Sequence, residues 1–159
     1  VQAAYPIMLD QGFGHIVNTA SLSGLTPGSG NITYVATKQA VVGLSTVLRA
    51  EAAMEGIRVS VLCPGFVRTP LLDGGGKYGK VLMNLSLQQE QRLHDLIEIF
   101  RPMSANVFAR KSLKAIAKNR AIIVIPSWCR LLWWIDRLSP SLTMLLLRMS
   151  QRMMEAGKE

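Results

Sequence analysis

The chain has 159 residues, 49% hydrophobic and 18% charged, so its composition is that of a globular domain and excludes an intrinsically disordered protein. The formal net charge is +8 at pH 7, and the whole excess lies from Lys77 onward, where 14 basic residues stand against 6 acidic ones. Such a segment is typical of contact with nucleic acid or an anionic membrane surface, but its aromatic residues stand among Leu and Ile, which argues against nucleic acid.

The N-terminal stretch lacks the signals that open a helix. Val1 to Leu9 is apolar and helix-compatible, and no N-cap residue precedes it. It has neither the basic region nor the cleavage site of a signal peptide. We therefore interpret the start of the sequence as a truncation.

The first half of the chain predicts a strand–helix–strand unit. Residues 1–10 have the pattern of a helix, and residues 15–20 that of a short β-branched strand. A long helix is predicted from residue 33 to residue 54, with Gly56 as its C-cap. Residues 57–63 form a second apolar strand. Because short links join these elements, the pattern indicates a parallel sheet with a crossover helix.

The second half predicts one more crossover and a helical extension. A helix is expected over residues 85–100, and Ser104 is positioned to cap another over residues 105–118. Residues 121–125 predict a third buried strand. The three strands predict an α/β fold but are too few for a doubly wound sheet. We therefore interpret residues 1–126 as the C-terminal part of a Rossmann-like, doubly wound parallel sheet. Residues 127–159 form an apolar, basic extension of two helices that break at Ser139–Pro140.

Three side chains form a candidate catalytic group. Tyr34 and Lys38 are four residues apart on the long helix and therefore share one face. Ser21 follows the first strand, at the sheet edge where ligands bind in open α/β folds. Carbonyl reduction by hydride needs a proton donor at the developing alkoxide. An unperturbed phenol titrates near about 10, so a neighbouring ammonium that favours the phenolate suits this chemistry.

The residues around this group resemble the short-chain dehydrogenase/reductase family, in its short single-domain branch. The resemblance runs without a gap from about Val1 to Thr69, and a looser one continues through residues 105–126. The segments that carry it are His15–Gly24, Tyr34–Leu44, Leu48–Glu51 and Ile57–Thr69.

The resemblance implies an NAD(P)-dependent oxidoreductase acting on a carbonyl or secondary alcohol. Tyr34 resembles the catalytic acid/base, Ser21 the serine that orients the substrate, and Lys38 the residue that favours the phenolate and holds the cofactor ribose. A turn of the pattern P-G-x-V-x-T is implied to meet the nicotinamide end of NAD or NADP, largely through backbone groups. Its residues are Pro64, Gly65, Val67 and Thr69.

The sequence also departs from the family pattern. It contains no glycine-rich phosphate loop, no residue that selects NAD over NADP, and no catalytic asparagine from an earlier helix. Gly74–Gly76 does not link a strand to a helix, so we interpret it as a hinge rather than a phosphate loop. The 159 residues are therefore predicted to be a C-terminal part that alone is poorly soluble and binds neither NADH nor NADPH.

Several properties of the whole protein follow as expectations. The two cysteines lack metal-ligand spacing, no metal is expected, and the default setting is cytoplasmic. The family resemblance implies a homo-oligomer, and the long helix carries small residues outside its catalytic face at Ala36, Ala40, Gly43, Ala50 and Ala53. The C-terminal helices are expected to pack on the core or on a second subunit, to cover an apolar substrate, or to touch a membrane surface.

Three alternatives to a short-chain reductase remain open from the sequence. One is a scaffold of the same fold that binds no cofactor, and a second is a membrane-surface interaction protein. The third is an epimerase or dehydratase of the extended branch. The intact set of Ser21, Tyr34 and Lys38 argues against the scaffold, and the compact spacing after Pro64 favours the single-domain branch.

Overall fold

The structure, a computed structural model, describes residues 1–28, 32–70, 91, 95 and 97–155. Its elements include helices between the strands of the main sheet and two consecutive helices at the C-terminus. They are α1 (Ala4–Gln11), β1 (Gly14–Thr19), α2 (Ile32–Ala52), β2 (Ile57–Pro64), β3 (Val67–Arg68), β4 (Met103–Ser104), α3 (Ala105–Ala117), β5 (Ile122–Ile125), α4 (Cys129–Leu138) and α5 (Pro140–Glu155).

The main sheet has three parallel strands in the order β1–β2–β5. Gly14 pairs with Ile57 and Thr19 with Leu62, so β1 and β2 run in register along the whole of β1. The pairing of β2 with β5 runs from Val61–Ile122 to Pro64–Ile125. Since all three strands point the same way, their carboxyl ends lie along one edge, which we call the carboxyl edge.

The central strand β2 is buried because it has a strand on each side. Val59, Val61 and Cys63 are buried, and so is Ser60 on the opposite face. A run of β-branched and apolar residues buried on both faces is typical of a parallel strand. One hydrophobic cluster joins Val61 and Cys63 to the loop after β1, and a second lies at the other end of the sheet around Val59 and Ile57.

Helix α2 packs one side against this sheet. Its buried residues are Ser45, Leu48 and Ala52, which recur at spacings of three and four, the period of one helix face. Lys38 and Tyr34 continue the same spacing toward the N-terminus. The first turns of α2 lie at the carboxyl edge, because the helix follows the loop that leaves β1 there. Tyr34 and Lys38 lie on the sheet-facing side of these turns and are therefore close to that edge.

The sheet, its parallel order and most element bounds agree with the sequence prediction. The structure adds a short ladder between β3 and β4, two residues each, that the sequence did not indicate. Ser104 caps α3 as predicted, since its Oγ accepts a hydrogen bond from the backbone N–H of Val107. The proposed hinge at 74–76 lies outside the described residues. Of the helix expected over 85–100, only residues 91, 95 and 97–100 are described, and all are helical except Phe100, which lies in a turn.

The C-terminal extension forms two helices, α4 and α5, separated by the single residue Ser139. The break that Ser139–Pro140 predicted is confirmed. The two helices pack against each other, and we call them the C-terminal helix pair. Among the described residues, no helix combines the length and the apolar character that crossing a membrane requires.

Candidate active site

Lys38 connects helix α2 to the end of strand β1. Its Nζ donates a hydrogen bond of 3.4 Å to the backbone carbonyl of Thr19, the last residue of the strand. The same Nζ lies 5.6 Å from the centre of the Tyr34 ring. The Tyr34 side chain is 40% exposed. The phenol is thus held near an ammonium at the carboxyl edge while remaining open to solvent.

Ser21 lies two residues beyond β1, where the backbone is still extended. Its Oγ accepts a hydrogen bond of 3.2 Å from the backbone N–H of Ser23 and so caps the short 3-10 turn Leu22–Gly24. The backbone N–H of Ala20 pairs with Leu62 O, which carries the strand alignment up to the residue before Ser21. The serine hydroxyl is therefore fixed on the same edge as Tyr34 and Lys38.

Gly24 lets this turn approach helix α2 closely. A Cβ on Gly24 would lie 2.6 Å from the backbone oxygen of Lys38 and 2.9 Å from Cγ2 of Val42. Leu22 and Leu25 pack into the same cluster as Val41 and Val42. The absence of a side chain at Gly24 thus sets the spacing between the loop of Ser21 and the helix of Tyr34.

The segment from Pro64 to Thr69 leaves the sheet at the carboxyl end of β2. Gly65 donates its backbone N–H to Ile125 O at 2.8 Å, and a Cβ on Gly65 would lie 2.5 Å from Sγ of Cys129. Val67 then starts the short strand β3, and Thr69 lies one residue beyond it. The turn is therefore held against the start of α4, on the edge that also carries Ser21.

Three aromatic rings stack beside this turn. The ring centres of Phe66 and Phe100 are 4.5 Å apart, and Trp128 lies 5.9 Å from Phe100 and 6.5 Å from Phe66. The three ring planes are nearly parallel, at no more than 10°. Phe66 follows β2 and Trp128 follows β5, so the stack forms an apolar wall at the carboxyl edge. The three residues are far apart in sequence, and no local pattern signalled that they would meet.

The two cysteines contribute no reactive group to this edge. Burial raises the pKa of the Cys63 thiol to about 12 and that of the Cys129 thiol to about 11. Both remain protonated at neutral pH, when a thiolate is the nucleophilic form. Within the described part of the chain, no three His, Cys, Asp or Glu side chains converge as a metal site would require.

Comparison with known proteins finds sequence similarity to one family in the first half of the chain. Residues 1–76 match the family model described as short chain dehydrogenase. The chain is 42% identical over 74 residues to 1-deoxy-11-beta-hydroxypentalenate dehydrogenase of Streptomyces exfoliatus, and 38% identical over 73 residues to D-beta-hydroxybutyrate dehydrogenase of Rhizobium meliloti. Each match covers 46% of this chain, and 27% and 28% of the respective relative. The matched segment thus spans less than a third of these relatives.

The similarity of fold reaches further along the chain. A short-chain dehydrogenase/reductase from Burkholderia phymatum, solved in complex with NAD, is 29% identical with a TM-score of 0.71, over 89% of this chain and 53% of its own. A short-chain dehydrogenase from Sphingobium yanoikuyae, solved with NADPH, is 25% identical with a TM-score of 0.59, over 89% of this chain and 48% of its own. With the parallel α/β sheet, these matches show that the chain has the fold of short-chain dehydrogenases/reductases, and residues 1–76 carry the sequence similarity to that family.

Proposed function

We propose that the full-length protein is an NAD(P)-dependent oxidoreductase that transfers hydride between the nicotinamide and a carbonyl or secondary alcohol. The observation that carries the proposal is the position of Lys38, whose Nζ contacts the end of β1 and lies 5.6 Å from the Tyr34 ring centre. This contact brings a phenol, an ammonium and the strand that leads to Ser21 to one edge of the sheet.

In the proposed reaction, the chain's own residues handle the proton. During reduction, the Tyr34 hydroxyl donates its proton to the substrate oxygen as negative charge develops there. The Ser21 hydroxyl donates a hydrogen bond to the same oxygen and stabilises that charge. The Lys38 ammonium stabilises the phenolate left behind. In the oxidation direction the phenolate takes the proton back.

The residues present fit a nicotinamide cofactor, whose role when bound is to supply or accept the hydride. Lys38 has three N–H donors, and one of them reaches Thr19 O. The others can hold ribose hydroxyls. Pro64, Gly65, Val67 and Thr69 offer backbone groups on the same edge as Ser21. Proteins similar to this chain have been solved with NAD and with NADPH.

We further propose an apolar substrate. The aromatic stack of Phe66, Phe100 and Trp128 supports this, because it lines the carboxyl edge next to the proposed nicotinamide turn. Phe100 and Trp128 are about two-fifths exposed, so their faces and edges are available to a ligand. Apolar pockets with a few convergent polar groups are typical of small-molecule sites.

We propose that the protein is cytoplasmic and assembles into a homo-oligomer through helix α2. The exposed residues Ala36, Ala40, Gly43 and Ala50 lie along one side of this helix, away from Tyr34. We also propose peripheral contact with a membrane through α4 and α5, where exposed Leu, Met and Trp residues are concentrated.

The proposal is tested by replacing Tyr34 with Phe in the full-length enzyme and following NADH and NADPH at 340 nm with a series of ketones. We expect turnover to fall by a factor of about 10² or more, the usual contribution of a positioned acid–base group, while cofactor still binds. Tyr5→Phe, the same change on α1, is the matched control and should leave turnover within a few-fold. Equal activity of the two variants would remove Tyr34 from the mechanism, and a parent that turns over none of the ketones would favour a scaffold that performs no chemistry.

A further inference from the structure

The C-terminal helix pair exposes apolar side chains along both of its helices, and we call these residues together the apolar stripe. On α4 the exposed residues follow one another at spacings of three and four, and on α5 they repeat the same spacing, so each helix presents one apolar line to the outside. Every member is at least 43% exposed. The stripe consists of Leu131, Trp134, Leu138, Leu142, Leu145 and Met149.

Arginine residues run alongside this stripe. Arg130 and Arg137 lie about a quarter turn from its centre on α4, at 100° per residue, and Arg148 and Arg152 have the same relation to it on α5. The Arg137 guanidinium lies 5.7 Å from the Trp133 ring centre, which holds it near the helix. From residue 103 to residue 152 the chain has nine basic residues and a single acidic one, Asp136.

We infer that the stripe and its arginines form a docking site for the surface of an anionic lipid bilayer. Leu and Trp side chains on one face of a helix, with arginines beside them, suit insertion into the boundary between headgroups and acyl chains. The positive charge is complementary to anionic headgroups. Helices of 10 and 16 residues, about 15 and 24 Å long, lie along such a surface.

The charge pattern favours lipid over a second copy of this chain. In a symmetric dimer each patch meets itself, so one interface would gather the arginines of both copies, and the stripe offers them no acidic partner. The stripe also differs from a nucleic-acid surface, where basic residues alternate with aromatic platforms for bases. Trp128 lies immediately before α4 and belongs to the aromatic stack, so docking would hold that part of the carboxyl edge near the lipid. The docking site itself is independent of the proposed oxidoreductase activity.

The test is co-sedimentation of the full-length protein with vesicles of phosphatidylcholine alone or mixed with phosphatidylserine. We expect binding to the mixed vesicles at low salt, weaker binding in high salt, and little binding to phosphatidylcholine alone. Leu131→Glu should lower partitioning of the protein onto the mixed vesicles about tenfold or more. The substitution removes an apolar side chain from the lipid and brings a negative charge to a negatively charged surface. Arg130→Gln and Arg137→Gln, as two single variants, should each lower partitioning onto the mixed vesicles about fivefold.

The matched control is Leu113→Glu on α3. Leu113 is 66% exposed and Leu131 is 65% exposed, so the two variants change charge and exposure equally and differ only in place. Leu113→Glu should bind within twofold of the parent, and circular dichroism should show both variants folded. Equal loss in the two variants, or no binding by the parent, would overturn the inference. So would a parent that ignores vesicles and forms dimers in light scattering that Leu131→Glu dissociates.

Discussion

Gly24 is the residue at which the loop of Ser21 touches helix α2 most closely. We predict that Gly24→Ala lowers the stability by about 1–3 kcal/mol, as overpacking does, because its Cβ would meet the backbone oxygen of Lys38 at 2.6 Å. The added Cβ would push the loop away from helix α2 and shift Ser21, so turnover should fall about tenfold or more. Urea unfolding and steady-state kinetics measure the two effects.

Gly28→Ala, in the same loop, is the control for this prediction. A Cβ at Gly28 would meet its nearest neighbours, Oγ of Ser23 and Cγ2 of Val35, at 3.6 Å, which is ordinary van der Waals contact. This variant should be as stable as the parent, with unchanged turnover. If Gly24→Ala behaved like Gly28→Ala, the loop would not depend on the close approach.

His15 links stability to pH. Its Nε2 bonds to Ser60 Oγ at 2.8 Å, while the Ser60 hydroxyl donates to Arg120 O at 2.7 Å. Burial, and next the charges of Arg58 and Arg49, lower the pKa of His15 below its ordinary value of 6.5. The unfolded chain therefore binds the proton more readily than the folded one. The stabilisation that neutral His15 gives the fold is therefore complete above pH 6.5. It is lost as the pH falls through the lowered pKa that His15 has in the folded protein.

The measurement is urea unfolding between about pH 7.5 and 5. The free energy of unfolding should fall more steeply toward acid in the parent than in His15→Gln, which keeps a donor toward Ser60 but does not titrate. Parallel curves for the two proteins would show that His15 has no part in the pH dependence.

At the residue scale, the sequence predicts the candidate group but not its contacts. The spacing of Tyr34 and Lys38 follows from the helix period alone, and the structure shows both on the side of α2 that faces the sheet. The bond from Lys38 to Thr19 O depends on how the helix sits over the strand. The stack of Phe66, Phe100 and Trp128 depends on three chain segments meeting, which spacing along one segment does not reveal.

Arg49 joins three elements of the fold. From helix α2 its Nη1 donates to the carbonyl of Val59 on β2, and it also donates at 2.9 Å to Oδ1 of Asn119, before β5. Its Nη2 donates to the backbone oxygen of Asn119 at 2.9 Å. Asn119 has a φ of 52°, in the left-handed region that Asn adopts more easily than most residues. The guanidinium thus holds the turn that leads into β5.

We predict that Arg49→Met destabilises the fold by about 2–3 kcal/mol, because charge-assisted hydrogen bonds are lost and carbonyl groups lose a partner. Arg49→Lys should recover little, since an ammonium cannot reproduce the planar fork. The exposed Arg58→Met is the control and should change the free energy of unfolding by less than about 0.5 kcal/mol. Equal urea midpoints for Arg49→Met and the parent would contradict this role.

The elements that the sequence predicted best are those with strong local signals. Apolar β-branched runs marked the three main strands, Gly56 marked the end of the long helix region, and Ser104 marked the start of α3. The two-residue strands β3 and β4 have no periodicity of their own, because they exist only through pairing with each other. Their detection requires the tertiary arrangement.

For the whole molecule, assembly through α2 gives a direct prediction. Val47 is 57% exposed and shares a side of the helix with Ala36, Ala40, Gly43 and Ala50. Val47→Glu should place charges in the proposed interface and shift the protein from oligomer to monomer in light scattering at micromolar concentration. Met54→Glu, just beyond this helix, is the control and should leave the assembly intact. A parent protein that is already monomeric would contradict the interface.

We propose that the carboxyl edge carries out hydride transfer with a nicotinamide cofactor. The most direct measurement follows the label from NADH or NADPH, deuterated at both C4 positions, into the alcohol formed from an apolar ketone by the full-length enzyme. Mass spectrometry should find deuterium on the carbinol carbon, and Tyr34→Phe should yield almost no labelled product. An alcohol without deuterium, or labelled product formed equally well by Tyr34→Phe, would contradict the account.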